Sequence, residues 1–119
     1  MNIEEIRAHC LAKPFVSEEF PFGEDVLVYK VAGKIFLLTG LNSYPPFFNV
    51  KMDVSLVPSY REKYEDVKPA YHMNKKMWNS VYFSSGRIPR GVLFWMIDHS
   101  YLQVVNNLPK KIRHQISAT

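Results

Sequence analysis

The segment DVLVYKVAGKIFLLT, residues 25–39, decides the fold class. Both halves are rich in β-branched, aromatic and aliphatic residues, and the dipeptide Ala32-Gly33 separates them. This pattern predicts two strands, 25–31 and 34–39, that a short turn joins into an antiparallel hairpin. The chain therefore pairs strands that are neighbours in sequence.

Further stretches extend this sheet. Apolar and polar side chains alternate in residues 47–52, which predicts a third strand after the hairpin. Residues 67–72 are expected to begin extended, because Pro69 biases Lys68 away from helix. Residues 79–83 (NSVYF) predict another strand, which a Ser-Ser-Gly turn closes. A meandering antiparallel sheet is the expected result.

Helices are predicted on either side of these strands. The first covers residues 3–12, where Asn2 is the capping residue and apolar side chains recur at helical spacing. The second begins after Asp53 or Ser55 and continues to about Tyr64.

The C-terminal part predicts a long helical segment. It starts at Pro89 and continues to Pro109, with an expected break near His99, since Ser100 could cap a second segment. Residues 110–119 are basic and polar and are expected to fray.

Length and element order indicate one α+β domain. A chain of 119 residues can bury its own core, so the domain is expected to span residues 1–119. Helix, strands, helix, strands, helix is the order typical of an antiparallel sheet with helices packed on one face. No apolar run is long enough to cross a bilayer, and residues 1–12 do not resemble a signal peptide. A cytoplasmic monomer that does not bind membranes is expected.

Motifs for catalysis and cofactor binding do not occur in the sequence. The five glycines form no phosphate-binding loop, and the four histidines are isolated from one another, so no cofactor or metal site is expected. Cys10 lies on the apolar face of the first predicted helix and is expected to be an inert buried thiol. Adjacent helical residues point in different directions, so Asp98 and His99 do not predict an acid–base pair. A non-enzymatic protein is expected.

Charge is distributed unevenly along the chain. Residues 1–50 contain 4 Lys and Arg against 6 Asp and Glu, whereas residues 51–119 contain 11 against 5, which gives −2 and +6. A basic half favours a polyanionic partner such as DNA. The carboxylates in residues 18–25 are expected in a solvated loop and at a strand start.

The segment VKPAYHMNKKMWNSV, residues 67–81, allows two interpretations. As a binding surface, its cations contact phosphates and its aromatic side chains stack on bases. As structure, Met73, Met77 and Trp78 belong to the core and the lysines are solvated. Asn74 is expected to be a turn or cap residue. The predicted DNA contact set comprises Lys68, His72, Lys75, Lys76, Arg87 and Arg90.

Four stretches resemble, in order along the chain, the signatures of the MmcQ/YjbR family of small bacterial proteins. They are FPFGEDVLVYKVAGKIFLL, VKMD, YREKYEDVKPAYHMNKKMWNSV and LFWMIDHSYLQVVNNLPKK. The resemblance implies a frataxin/CyaY-like α+β fold with a layout compared to double-wing DNA-binding proteins, and it implies no established reaction. Two positions depart from the family pattern: Val54 stands where a proline is usual, and Met77 where a histidine is common.

Two functions remain open at this point. The first is non-enzymatic DNA binding through the basic second half of the chain. The alternative is a small-ligand or protein-interaction module, in which polar tips from distant parts of the chain converge on one concave site. The residues of that predicted pocket are Tyr71, His72, Asn74, Trp78 and Tyr101.

Overall fold

The computed structural model describes residues 1–70 and 73–119; Tyr71 and His72, which were assigned to the predicted contact set and pocket, lie outside the described residues. The helices in the described part are α1 (Ile3–Leu11), α2 (Leu56–Lys63), α3 (Arg90–Val105) and α4 (Lys110–Ser117). Its strands are β1 (Val16–Glu19), β2 (Val26–Val31), β3 (Lys34–Gly40), β4 (Phe47–Lys51), β5 (Val67–Pro69) and β6 (Trp78–Tyr82). None of these helices is long and apolar enough to span a membrane.

The strands form one antiparallel sheet in the order β1-β2-β3-β4-β6-β5. This confirms the predicted α+β class. The β2–β3 hairpin turns at Ala32 and Gly33, with φ angles of 47° and 85°. Two consecutive positive φ angles suit the right-handed twist of the flanking strands, and glycine adopts them without strain.

The helices pack on one face of the sheet. Alternate strand residues such as Tyr29, Val50 and Val81 join the core, and Ile6 of α1 and Ile97 of α3 meet them there. Ile6, Tyr29, Val50 and Val81 have no exposed surface. Because side chains alternate along a strand, the other half of the strand residues faces away from the helices. We call that second surface the open face.

Two predicted boundaries in the helical part are wrong. The helix that begins after Pro89 does not break at His99, because the Ser100 hydroxyl is buried and bonds to the sheet instead of capping a new segment. Residues 110–117 form α4 rather than a frayed tail, since Ile112 and Ile116 are one turn apart and pack against the core.

Strand β1 was not predicted. Its sequence, VSEE, is mostly polar, but it lies at the sheet edge and pairs with β2. Glu18 accepts hydrogen bonds from Arg7 Nε and from the Tyr29 hydroxyl, both at 2.8 Å. Glu19 accepts one from Lys30 at 3.1 Å. These two carboxylates are therefore strand residues with partners, not members of a solvated loop.

Candidate functional site

The sheet register separates charges between the two ends of the strands. Strands β4 and β6 are antiparallel, so Lys51, the last residue of β4, lies opposite Trp78, the first residue of β6. The β3 strand also begins at this end, and the turn before β6 leads into it. Four lysines thus share one end of the sheet, which we call the basic end: Lys34, Lys51, Lys75 and Lys76.

Carboxylates occupy the opposite end of the sheet. Asp25 directly precedes β2, and Asp66 directly precedes β5. The Asp66 carbonyl accepts a hydrogen bond from the amide of Tyr82, the last residue of β6, at 2.9 Å. The four lysines are thus gathered at one end of the strands by the register and not by their position in the chain, and Asp25 and Asp66 lie at the other end.

A shallow cleft of about 250 Å³ lies at the basic end. Lys34 and Lys51 line it from the sheet, and Asn107 and Pro109 line it from the helical side. Helix α4 begins directly after Pro109 with two more lysines, at positions 110 and 111. The cations that line the cleft itself are Lys34 and Lys51.

The turn that carries Lys75 and Lys76 is held by its own backbone and by α2. The amides of Met77 and Trp78 donate to the carbonyl of Asn74 at 3.0 and 2.9 Å, and the Asn74 side chain accepts from the Lys76 amide at 3.0 Å. Arg61 of α2 donates to the Lys75 carbonyl at 2.5 Å. Asn74 is therefore a turn residue, as its sequence context predicts, and both lysine side chains are exposed.

Lys68 lies on the open face. Its Cα pairs with that of Ser80, and its ammonium lies 5.4 Å from the centroid of the Tyr82 ring. The cation is thus placed over an aromatic face at the β5 edge of the sheet. The ring attracts the ammonium through its π-electron face, which holds the cation at this edge.

The two arginines of the predicted contact set are bound to carboxylates elsewhere. Arg87 makes a bidentate pair with Asp66, with Nε–Oδ2 and Nη2–Oδ1 distances of 3.0 and 2.6 Å. Hydrogen bonds from Arg87 and then from Ser85 hold the pKa of Asp66 below its usual range. Arg90 pairs with Glu5 of α1. The structure therefore does not bring either arginine together with the lysines of the basic end.

The described residues of the predicted pocket do not converge on one cavity. Tyr101 is 7% exposed, and its hydroxyl donates to the Pro14 carbonyl at 2.8 Å on the helix-covered side. Asn74 belongs to the turn, and Trp78 is half-buried at the start of β6. Met73 and Met77 are also half-buried, and none of the three large apolar residues of this segment belongs to the core cluster, contrary to the prediction.

A different cavity, a groove of about 540 Å³, lies on the open face. Its walls are mainly apolar, and its lining residues include Phe22, Val26, Ile35, Leu38, Phe47 and Tyr82. The signature PFGED shapes one wall, because the Gly23 amide donates back to the Phe20 carbonyl at 3.4 Å and the turn presents Phe22 to the groove. We call this cavity the open-face groove.

The floor of the open-face groove is polar. Asn49 and Ser80 are 3% and 4% exposed, and the Ser80 hydroxyl donates to Asn49 Oδ1 at 2.5 Å. Asn49 Nδ2 donates to the sulfur of Met73 at 3.4 Å. Strands 26–31 and 34–39 carry apolar residues on both alternations, a pattern typical of strands covered on both faces, and this was the sequence signal for a second apolar surface.

The signature DHSY at residues 98–101 has structural partners. Asp98 accepts bonds from His9 at 2.6 Å and Lys13 at 2.5 Å, so it ties α3 to the end of α1. Burial alone would raise the pKa of Asp98, but the hydrogen bonds from Lys13 and His9 outweigh it and leave the pKa below its usual range.

Ser100 forms hydrogen bonds with strands β3 and β4, and His99 forms one with the segment that follows β4. His99 Nε2 accepts from the amide of Asp53 at 3.1 Å, and burial lowers the pKa of His99. The Ser100 hydroxyl donates to the Phe36 carbonyl at 2.5 Å and accepts from the Lys51 amide at 2.8 Å. Neighbouring residues of the DHSY signature therefore form hydrogen bonds with different partners, as expected for consecutive positions on a helix.

Two kinds of reactive site can be judged from the described residues, namely a metal centre and a nucleophilic thiol. Within residues 1–70 and 73–119, no cluster of three His, Cys, Asp or Glu side chains could hold a metal ion. Cys10 is buried, as predicted, and burial raises the pKa of its thiol to about 12. A thiol with that pKa is protonated at neutral pH and is a poor nucleophile.

Known structures share this fold. A crystal structure of a Deinococcus radiodurans protein with a DUF419 domain superposes with a TM-score of 0.90 at 28% identity and covers 98% of this chain and 88% of its own. A Pseudomonas syringae protein superposes with a TM-score of 0.74 at 23% identity over 87% of this chain and 98% of its own, which shows the fold alone.

Sequence relatives show the family. The uncharacterized protein YbdF of Escherichia coli O157:H7 is 36% identical over 95% of this chain and 92% of its own length. The uncharacterized protein YjbR of Escherichia coli K12 is 30% identical over 95% of each chain. The YjbR family model matches residues 11–103, and the chain therefore belongs to the YjbR family.

Proposed function

We propose that the protein binds DNA through its basic end. The observation that carries this proposal is the sheet register, which gathers Lys34, Lys51, Lys75 and Lys76 at one end of the strands and leaves Asp25 at the other. Backbone phosphates supply most of the affinity in sequence-independent binding, and clustered lysines are suited to them.

The proposed contact set shares three lysines with the set predicted from the sequence. Lys68, Lys75 and Lys76 of the sequence-based set remain in the proposal, and Lys34 and Lys51 join them at the cleft. Arg87 and Arg90 are left out, because each already pairs with a carboxylate. His72 remains a contact suggested by sequence alone.

The mode of binding follows from the residue types. Lysine presents a flexible point charge, whereas base reading in the major groove usually relies on the forked donors of Arg or the amides of Asn and Gln. The basic end is therefore expected to contact phosphates with little sequence preference. Affinity should fall steeply with salt, since each neutralised phosphate releases counterions.

Fluorescence anisotropy with a labelled DNA duplex, measured over a series of salt concentrations, tests the proposal. The double variant Lys51→Ala/Lys76→Ala is expected to bind more weakly and to lower the slope of log affinity against log salt by about 2. The matched control, Lys63→Ala/Arg90→Ala, removes the same charge from outside the basic end and should keep the slope of the unaltered chain. Equal loss in both variants, or no salt-sensitive binding at about 50 mM salt, would overturn the proposal.

A further inference from the structure

The open-face groove has the size and lining of a ligand site. Its volume of about 540 Å³ falls in the range of pockets that enclose small organic molecules, and apolar side chains make up most of its wall. Phe47 and Tyr82 face each other across adjacent strands, with ring centroids 5.6 Å apart. A flat or branched apolar group packed against this aromatic pair would lose contact with water on that side.

The polar floor of the open-face groove carries a hydrogen-bond donor, the side-chain amide of Asn49. Asn49 and Ser80, which form this floor, are almost fully buried. Among the described residues, the partner of Asn49 Nδ2 is the sulfur of Met73, 3.4 Å away, and a thioether is a weak acceptor. An oxygen delivered by a ligand would be a stronger partner for this amide, because buried donors are normally paired with good acceptors.

Lys68 places a positive charge beside the open-face groove. One row of paired residues crosses the open face from Asn49 through Ser80 to Lys68. The Lys68 ammonium lies over the ring of Tyr82, which lines the groove. Ser80 lines the groove, and Lys68 lies opposite it on the next strand. A lysine is therefore one strand spacing away from the groove wall, on the same face as an anionic group bound near the Asn49 amide.

We propose that the open-face groove binds a small amphipathic anion, whose apolar body fills the groove and whose head group accepts from Asn49 and faces Lys68. The apolar lining selects the body, and the amide and the ammonium select the head. Lys68 belongs to both proposals, but each can fail without the other, because the groove lies on the open face whereas the other proposed DNA contacts lie at the end of the strands.

Two fluorescent probes with a common aromatic body test the proposal. 8-Anilino-1-naphthalenesulfonate carries an anionic head, and N-phenyl-1-naphthylamine lacks it. Both are expected to gain fluorescence on binding to the folded full-length chain, and the anionic probe is expected to bind more tightly. Near-ultraviolet circular dichroism on the same samples verifies that the chain is folded, since loosely packed proteins also bind such probes.

Two variants separate the body of the ligand from its head. Leu38→Trp fills the groove and should reduce the affinity for both probes at least tenfold, whereas its matched control Leu102→Trp, on an exposed position of α3, should not change it. Lys68→Gln should weaken only the anionic probe, by about two- to fivefold, as is usual for one partly exposed charge. Salt-dependent DNA binding should persist in Leu38→Trp.

The outcomes are decisive in either direction. Equal effects of Leu38→Trp and Leu102→Trp, or the absence of probe binding, would overturn the site, and an equal effect of Lys68→Gln on both probes would overturn the anionic head. A dimer in sedimentation experiments that Leu38→Trp dissociates would show that a second copy covers the groove, which also overturns the proposal. If Leu38→Trp does not fold, the shift of the Asn49 side-chain amide in a ¹⁵N–¹H spectrum of the unaltered chain decides: a shift on adding the anionic probe supports the site, and none overturns it.

Discussion

The two faces of the sheet differ in what covers them. On the helix-covered face, Phe36 and Ile97 have no exposed surface, and the Ser100 hydroxyl bonds the backbone of two strands. On the open face, Leu38 and Tyr82 are only half-buried and line a groove. The helix-covered face therefore contains the buried core cluster, and the open face contains the groove.

The largest difference between the faces is expected when one side chain on each face is shortened. Ile97→Ala should lower the free energy of unfolding by about 2–5 kcal/mol, because it leaves a cavity in packed surroundings. Leu38→Ala on the open face should cost clearly less, since its side chain is partly solvated in the folded state. Urea unfolding followed by circular dichroism measures both. Similar losses in the two variants would show that the open face is part of the core.

A smaller effect is expected from the hydroxyl that links α3 to the sheet. Ser100→Ala should cost about 1–3 kcal/mol, because the part-buried Lys51 amide loses its acceptor and the Phe36 carbonyl loses its donor. The matched control is Ser59→Ala, whose exposed hydroxyl donates to the Leu56 carbonyl within α2. A change of less than about 0.5 kcal/mol is expected there. Equal costs in these two serine variants would contradict the assigned role.

The smallest effect is a pH dependence on the helix-covered side. Burial lowers the pKa of His99 from 6.5, and its Nε2 accepts a hydrogen bond from the Asp53 amide. The unfolded chain therefore takes up a proton first, so stability should be full above about pH 6.5 and should decline as pH falls through the folded-state pKa. His99→Gln should flatten this part of the stability curve. Thermal unfolding between pH 5 and 8 tests it, and identical slopes in both chains would refute it.

The elements that follow local rules could be predicted from the sequence. The β2–β3 hairpin has a two-residue turn between apolar strands, and α1 begins at Asn2, whose side chain accepts from the Glu5 amide at 2.8 Å. Local signals of this kind act within a few residues, so the sequence displays them directly.

The remaining features depend on contacts between distant residues. Strand β1 is polar and is held by its pairing with β2. Arg90 finds its carboxylate in Glu5, 85 positions away, which no spacing rule could indicate. The basic end exists only after the register brings Lys34 and Lys51 to the same cleft. Charge counted along the chain indicated a polyanion, but it could not say which cations share a surface.

The composition of β5 bears on how the folded molecule behaves at high concentration. The strand is three residues long and forms one border of the sheet, with Lys68 at its centre and Pro69 at its end. Proline offers no amide proton for pairing, and lysine disfavours the approach of another basic strand. The opposite border, β1, carries Glu18 and Glu19. Pairing of either border with its own copy in a second molecule would therefore bring like charges together, and at β5 the missing amide proton of Pro69 removes a donor as well.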